Sequence, residues 1–328
     1  MTIGLAYAGR VQLQQLRYFA AVAETRHFTR AADREHVAQP SLSQQIRALE
    51  RELGAELFHR ERGNIALTDA GQALLPLARR ILADAESARS AVQETVQLRR
   101  GRVRLGAPPS LCTSLVPDVL RAYRARYPGV ELLVREDGSR DLVRILAAGE
   151  LDLALVITSQ AGEEPGLAVT ELLHEDLVLV SAGPEAAELE TPARGRPPAR
   201  IEDLRGRPLV MFREGYDLRE ATLAACRAAG FEPEFAVQGG EMDAVLGFVR
   251  AGLGPAVLPG MVAARSGLTV TPFADPGLGR TIALAHGREL PPTRAAAALH
   301  TVLLSHLTDA ARTGALPPGT RLLLPPSK

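Results

Sequence analysis

Tryptophan is absent from the 328 residues, lysine occurs once, as Lys328, and there are two cysteines, Cys112 and Cys226. Two thiols cannot staple a chain of this length, and their scarcity fits a reducing compartment. No run of about eighteen apolar residues occurs, so no membrane-spanning helix is expected. The opening stretch MTIGLAYAGRVQLQQ lacks a basic segment followed by a long apolar core. Export is therefore not expected, and the expected location is the cytoplasm. Zinc-spaced Cys/His quartets, a Gly-x-Ser-x-Gly elbow and a phosphate loop ending in Gly-Lys-Ser or Gly-Lys-Thr are all missing. The histidines, among them His27, His36, His59, His174 and His286, are scattered. The chain thus offers no catalytic residue, metal ligand or cofactor site, and an enzyme is not expected.

A hydrophobic fraction of 46% supports folded domains, and the length suits a small domain plus a larger two-lobed one. The formal charge of zero hides an asymmetry: residues 1–102 carry +4 and the remainder −4. The basic excess lies with the segment that reads as a nucleic-acid binder, although it is modest.

That segment is Phe28 to Leu53, FTRAADREHVAQPSLSQQIRALEREL. Apolar or small residues at Phe28, Ala31 and Ala32, then Val37, then Leu42, Ile46 and Leu49 give two short helical stripes interrupted once. Two helices packed across a tight turn require this pattern. The second helix opens near Gln39-Pro40, where proline in a first turn loses no hydrogen bond. Gln39, Ser41, Ser43, Gln44 and Arg47 then face outward, able to reach base edges and phosphates from a major groove. Before this pair, Leu13 to Glu24 reads as a covering helix. After it, a turn at Gly63-Asn64 between Leu57-Phe58 and Ile65–Leu67 reads as a hairpin wing, with Arg60 and Arg62 set toward phosphate or a minor groove. Thr68 caps a long helix running to about Leu98, broken only by Pro76. Its apolar stripe, Ala70, Leu74, Leu77, Ile81, Ala85, Ala88, Val92 and Val96, would extend about 45 Å at 1.5 Å per residue and needs a partner. Arg99-Arg100-Gly101-Arg102 ends it.

Beyond residue 102, strand-like and helical segments alternate, which predicts a parallel sheet with helices on its faces. The expected strands are 103–107, 130–136, 151–157, 177–181, 209–212, 234–238, 256–258 and 281–285. Helices are expected at 113–127, 141–148, 218–229, 242–251 and 292–307. Crossing segments near 158–170 and 271–280 would join two lobes, and the Pro/Gly-rich stretch 183–200 reads as a surface loop.

An ordered series of short motifs now becomes specific. Leu16-Arg17-Tyr18-Phe19, Phe28-Thr29-Arg30-Ala31-Ala32, Ala38-Gln39-Pro40-Ser41-Leu42-Ser43, Leu49-Glu50, Leu57-Phe58 and Leu67-Thr68-Asp69-Ala70-Gly71 closely resemble the N-terminal domain of LysR-type transcriptional regulators. Arg104-Leu105-Gly106, Leu115-Val116-Pro117, Gly149 to Ala154 and Val249 to Gly254 followed by Leu258-Pro259 are spaced as in the effector-binding domain of the same regulators. The resemblance covers residues 12 to about 308.

It implies an α/β fold with an N-terminal all-α winged helix-turn-helix, a long linker helix, and a C-terminal two-lobed domain like a periplasmic binding protein. The boundaries implied are 1–67 for the DNA reader, with 1–10 an extension ahead of a start at Val11; 68–102 for the linker; 103–310 for the effector domain; and 311–328 for a disordered tail. The lobes would be 103–165 plus 276–310, and 166–275. Thr29, Arg30, Gln39, Pro40, Ser41, Ser43, Gln44, Arg47, Arg60 and Arg62 are the expected DNA contacts. The partners implied are double-stranded promoter DNA, a small-molecule effector of anionic character, and further copies of the chain in a homodimer or homotetramer. RNA polymerase is a candidate partner, and no membrane is implied. The competing reading is a two-lobed solute-binding or enzymatic protein whose N-terminal helices only oligomerise.

In open α/β sheets ligands sit beyond strand C-termini, which selects Ser110-Leu111 after the first strand and Ser139 after the second. Two hydroxyls and neighbouring amides could hold an anion without any buried cation. Ser110 and Ser139 also match hydroxyl positions that hold effector carboxylates in relatives. Phe212, Arg213, Gly215, Gly239 and Glu241 are weaker candidates from the second lobe, and Glu241 would favour an amine-bearing or hydroxylated ligand. In the peroxide-sensing branch of the family a reactive cysteine precedes a resolving one by nine residues. Cys226 matches the resolving position, but Asp217 stands where the attacking thiol belongs, so thiol sensing is not expected. Cys112 is a weaker candidate for a reactive thiol.

Overall fold

The computed structural model describes residues 11–61, 64–94, 101–161, 166–182, 197–288 and 292–324. The expected extension at 1–10, most of the 183–200 loop, Arg62, Val96 and the end of the expected tail lie outside them. The chain forms two compact units that divide at Gln93 and Glu94, except that Ala147–Glu150 group with the first.

In the first unit, α1 (Leu13–Thr25), α2 (Phe28–Arg34) and α3 (Gln39–Leu53) close over Leu16, Phe19, Val22, Ala31, Leu42, Ile46 and Leu49, all fully or nearly fully buried. Local chemistry sets the ends. Gln15 Oε1 accepts the Gln12 N–H at 2.9 Å at the start of α1, and His27 Nδ1 accepts the Arg30 amide at 3.4 Å at the start of α2. His36 takes a left-handed φ of 55° to reverse the chain between α2 and α3. Glu50, buried on α3, accepts the Leu57 N–H at 3.1 Å and so fixes the exit toward the wing. The wing is the hairpin β1 (Phe58–Glu61) and β2 (Asn64–Leu67), with Phe58 wedged between Phe19 and Phe28 at ring distances of 5.3 and 5.9 Å.

The long helix α4 (Asp69–Glu94) is capped by Thr68, whose Oγ1 accepts the Gly71 N–H at 3.0 Å and donates to Glu56 O at 2.6 Å. Gly71 is obligatory here: a Cβ would stand 2.2 Å from the Leu57 carbonyl oxygen. The apolar stripe divides in two. Ala70, Leu74, Leu75, Ala78 and Leu82 cover the core of their own unit, whereas Leu77 and Ile81 stay 57% and 44% exposed and Ala88 is exposed beyond them.

The second unit is built on β3 (Gly101–Ala107), β4 (Val130–Glu136), β5 (Leu153–Ile157), β6 (Leu167–Ser181), β7 (Leu209–Met211), β8 (Phe235–Gln238), β9 (Ala256–Pro259), β10 (Thr269–Pro272), β11 (Gly279–Gly287) and β12 (Thr320–Leu322). Its helices are α5 (Pro109–Ser114), α6 (Val116–Arg126), α7 (Ser139–Ala147), α8 (Thr158–Ala161), α9 (Asp217–Ala228), α10 (Met242–Arg250), α11 (Gly260–Ser266) and α12 (Arg294–Thr313). The main sheet runs β10-β6-β11-β5-β3-β4, while β7 and β8 pair separately in parallel. One lobe packs α5, α6 and α12 on one face of this sheet and α7 on the other; the second lobe gathers α9 and α10 around β7 and β9.

Three expectations need correction. The sheet is mixed rather than parallel: β3 runs parallel to β4 and β5, but β11 is antiparallel to both β5 and β6. The first crossing does not fall near 158–170 but close to Leu177, because β6 is a single strand whose first part pairs with β11 and whose second part, from Leu177, pairs with β9 and β10. The expected disordered tail is ordered to Leu324. There α12 continues to Thr313, β12 pairs with β6 at residues 173–175, and Leu316, Leu322 and Leu324 pack on the first lobe's core. Apolar leucines set among prolines supply that anchorage, which a compositional reading overlooks. The return crossing does fall within 271–280, between Pro272 and Gly279.

Candidate nucleic-acid interface and effector site

The DNA-reading candidates sit where α3 begins. Ala38 precedes the helix in extended conformation, Pro40 occupies its first turn, and Leu42, Ile46 and Leu49 are pulled into the core. The opposite face is thereby forced outward: Gln39, Pro40, Ser41, Gln44 and Arg47 are exposed and Ser43 is half-buried. Thr29 and Arg30 are also exposed, on α2. Among the described residues no carboxylate pairs with Arg30 or Arg47, whereas Arg17 and Arg34 are held by Glu35 and Glu24 at 2.8 and 2.5 Å. The structure thus separates arginines that brace the unit from arginines available to phosphate. The Arg60 side chain and Arg62 lie outside the described residues.

In the second unit the polar chemistry collects where β6 and β11 pass together between the lobes. Arg280 and Glu175 are register partners across that ladder and are 7% and 0% exposed. Arg280 Nε donates to Glu175 Oε2 at 3.0 Å, and its Nη1 donates to Ser110 Oγ at 2.9 Å. Glu175 Oε1 accepts the Met261 N–H at 2.8 Å. Arg280 Nη2 lies 2.9 Å from Glu175 Oε2 yet has no acceptor along its own N–H bonds.

Around this pair, Ser139 is fully buried; its Oγ accepts the Ile157 N–H at 2.9 Å and donates to Asp217 Oδ2 at 3.4 Å, joining a helix of one lobe to a helix of the other. Burial raises the Asp217 pKa, even though Arg280 and the Ser139 hydroxyl pull it down. Tyr216, 6% exposed, stacks on Phe212 with ring centroids 4.5 Å apart, and its hydroxyl has no partner. Burial raises the Tyr216 pKa as well; Arg280 opposes that shift, and Glu241, Asp217 and Glu136 add to it. Arg213 Nε meets Glu241 Oε1 at 2.5 Å, a bond that raises the Arg213 pKa, while the other Glu241 oxygen is buried and unpartnered.

The expected effector residues fare unequally. The Ser110 hydroxyl is bonded to Arg280 and that of Ser139 to Ile157 and Asp217, so both already serve the protein. Leu111 turns into the core with its amide bonded to Pro108 O at 2.9 Å, so neither its side chain nor its N–H is presented to a ligand. Phe212 lies beneath Tyr216 as a buried support. Arg213 and Glu241 neutralise each other, and Gly215 and Gly239 supply turns at φ 74° and 115°. The expectation of an anion site without a buried cation fails, because Arg280 is one. Arg280, Glu175 and Tyr216 escaped the sequence reading. Their only signal was an arginine at the edge of an apolar strand and a glutamate within another.

Neither cysteine sits where the thiolate is favoured. Cys112 is pushed up to about 12 by burial and by Glu136, so it stays a thiol at neutral pH. Cys226 is buried in the second lobe's core, and burial raises its pKa too.

These features define a class: a winged helix-turn-helix protein carrying a two-lobed α/β domain with a polar junction between the lobes. Residues 13–72 match the bacterial regulatory helix-turn-helix protein, lysR family, and residues 97–308 match the LysR substrate binding domain. The chain belongs to the LysR family and is a LysR-type DNA-binding transcriptional regulator. It is 34% identical over 291 residues to the transcriptional dual regulator GltC of Bacillus subtilis (strain 168), covering 86% of this chain and 94% of that one. It is 36% identical over 282 residues to a probable hydrogen peroxide-inducible genes activator of Streptomyces viridosporus, covering 83% and 87%. Among solved structures, a cysteine-to-aspartate variant of full-length OxyR from Pseudomonas aeruginosa superposes with TM-score 0.69 at 27% identity, covering 90% of this chain and 95% of that one. Full-length CbnR complexed with its target DNA gives TM-score 0.66 at 25% identity, covering 92% and 100%.

Proposed function

We propose that the α3 face formed by Gln39, Pro40, Ser41, Ser43, Gln44 and Arg47 enters the major groove of promoter DNA, with Thr29 and Arg30 on phosphate and Arg60 and Arg62 carried by the wing. The observation that carries this reading is the division of α3 into a fully buried apolar face and an exposed face of short polar and arginine side chains at a helix start. Such side chains read base edges, and helix-terminal amides hold phosphate. The exposed Leu77 and Ile81 of α4 serve pairing with a second copy, which sets two reading heads at a fixed spacing. The lobe junction of the second unit takes a small effector, whose unequal affinity for open and closed lobes shifts the assembly on DNA. The protein acts in the cytoplasm as a regulator rather than an enzyme, as a dimer or tetramer, with RNA polymerase as a downstream partner.

Footprinting and titration of the DNA flanking its own gene test this. Affinity should fall steeply with salt, and Gln39→Ala should relax sequence choice at one base pair by about 1–3 kcal/mol. Binding that is independent of salt, or sequence choice unchanged by Gln39→Ala and Ser43→Ala together, would remove the reading.

A further inference from the structure

We propose that the effector is a small α-amino acid in its zwitterionic form, its carboxylate taken by Arg280 and its ammonium group by Asp217. The proposal rests on the reading of the lobe junction as the effector site. Two side chains there, each more than nine-tenths buried, hold polar atoms that are not fully satisfied: the Tyr216 hydroxyl has no partner, and Nη2 of Arg280, 2.9 Å from Glu175 Oε2, has no acceptor along its own N–H bonds. An orphaned buried donor costs free energy that a native fold ordinarily avoids, and a ligand group is one way such an atom is satisfied. Arg280 Nη2 is a cationic donor and calls for an acceptor, best a carboxylate oxygen.

A plain anion does not answer the rest of the junction. Arg280 is already matched by Glu175 and Arg213 by Glu241; Asp217 and Glu136 also act on the Tyr216 hydroxyl, with Arg140 as a further cation felt by Asp217. Asp217 is in no ion pair among the described residues, and its one side-chain partner is the 3.4 Å contact from Ser139. A ligand carrying only negative charge would meet the Asp217 carboxylate, which no ion pair holds among the described residues; one carrying only positive charge would leave Arg280 Nη2 without an aligned acceptor. An ammonium beside a carboxylate satisfies both ends, and Tyr216 can accept from the first or donate to the second. Because Ser139 and Asp217 belong to different lobes, a cation seated at Asp217 also bears on a contact between the lobes.

The test uses the full-length protein and titration calorimetry. The common L-amino acids are compared with their matched 2-oxo acids, 2-hydroxy acids and decarboxylated amines. At least one amino acid should bind, and removal of either charged group should weaken binding by roughly tenfold or more, the loss of a charge-assisted hydrogen bond. Asp217→Asn should weaken the amino acid while leaving its 2-oxo acid no weaker, and Tyr216→Phe should weaken the amino acid with the fold intact by circular dichroism. The proposal is overturned if a 2-oxo acid, 2-hydroxy acid or amine binds as tightly as the amino acid, if Asp217→Asn leaves amino-acid affinity unchanged, or if no amino acid binds. Should a different metabolite alter the footprint, the regulator reading stands and this ligand class falls; should the protein fail to bind DNA, it is the regulator reading that falls.

Discussion

Glu175→Gln is the most informative single perturbation of the effector domain. It keeps the side-chain shape and an oxygen for the Met261 amide, but it leaves the Arg280 guanidinium buried without its ion-pair partner. Removing one member of a buried ion pair costs about 3–5 kcal/mol, because the surviving charge has lost both water and partner. For a unit of this size that corresponds to a fall of roughly 6–20 °C in its melting temperature. Replacing both residues, Glu175→Gln with Arg280→Met, removes the stranded charge, so the double variant should be more stable than the sum of the two single losses implies. The assay is differential scanning calorimetry of the full chain, following the transition of the effector unit, since the two units need not melt together and the absence of tryptophan removes the usual optical probe. The reasoning fails if Glu175→Gln melts within the range expected of a surface substitution, about 0.5 kcal/mol, or if the two single effects simply add.

Three further outcomes follow from the structure. Ile81→Asp combined with Leu77→Asp should convert the oligomer to a species of lower mass in sedimentation velocity without melting the unit, because both side chains are exposed on a single chain; unchanged mass would deny α4 its pairing role. Gly71→Val should destabilise the DNA-binding unit by about 1–3 kcal/mol through overpacking, its Cβ being aimed at the Leu57 carbonyl, and urea unfolding of this variant should show a lower midpoint. The raised Asp217 pKa means that the folded state holds a proton that the unfolded chain has already released. Stability should therefore decline as pH rises from the ordinary value of 3.8 through the folded value, and Asp217→Asn should flatten that decline in urea melts across pH.

The DNA-binding unit was almost fully legible because its determinants are local. The apolar spacing of Leu42, Ile46 and Leu49, the proline in the first turn of α3 and the capping Thr68 act within a few residues of themselves. The effector domain was legible as alternating elements but not in strand direction, since periodicity marks a strand without saying which way it runs. The junction was the least legible. Arg280 and Glu175 are 105 residues apart and meet only because β11 returns antiparallel along β6. Ser110 and Ser139 were placed by a rule about strand ends. The rule could not foresee that their hydroxyls would be taken up by Arg280, Ile157 and Asp217.

The return of β11 and α12 to the first lobe has a consequence for how the protein is made. During synthesis α1, α2, α3 and the wing leave the ribosome first, and can fold while the remainder is still being translated. The first lobe cannot: β3, β4 and β5 emerge early, but the strand that pairs with β5 and the helix that covers their core come only after the whole second lobe. A nascent chain stalled before Gly279 would carry a DNA reader together with an open sheet edge, so premature termination just before Gly279 should yield a protein that aggregates rather than a regulator deaf to its ligand.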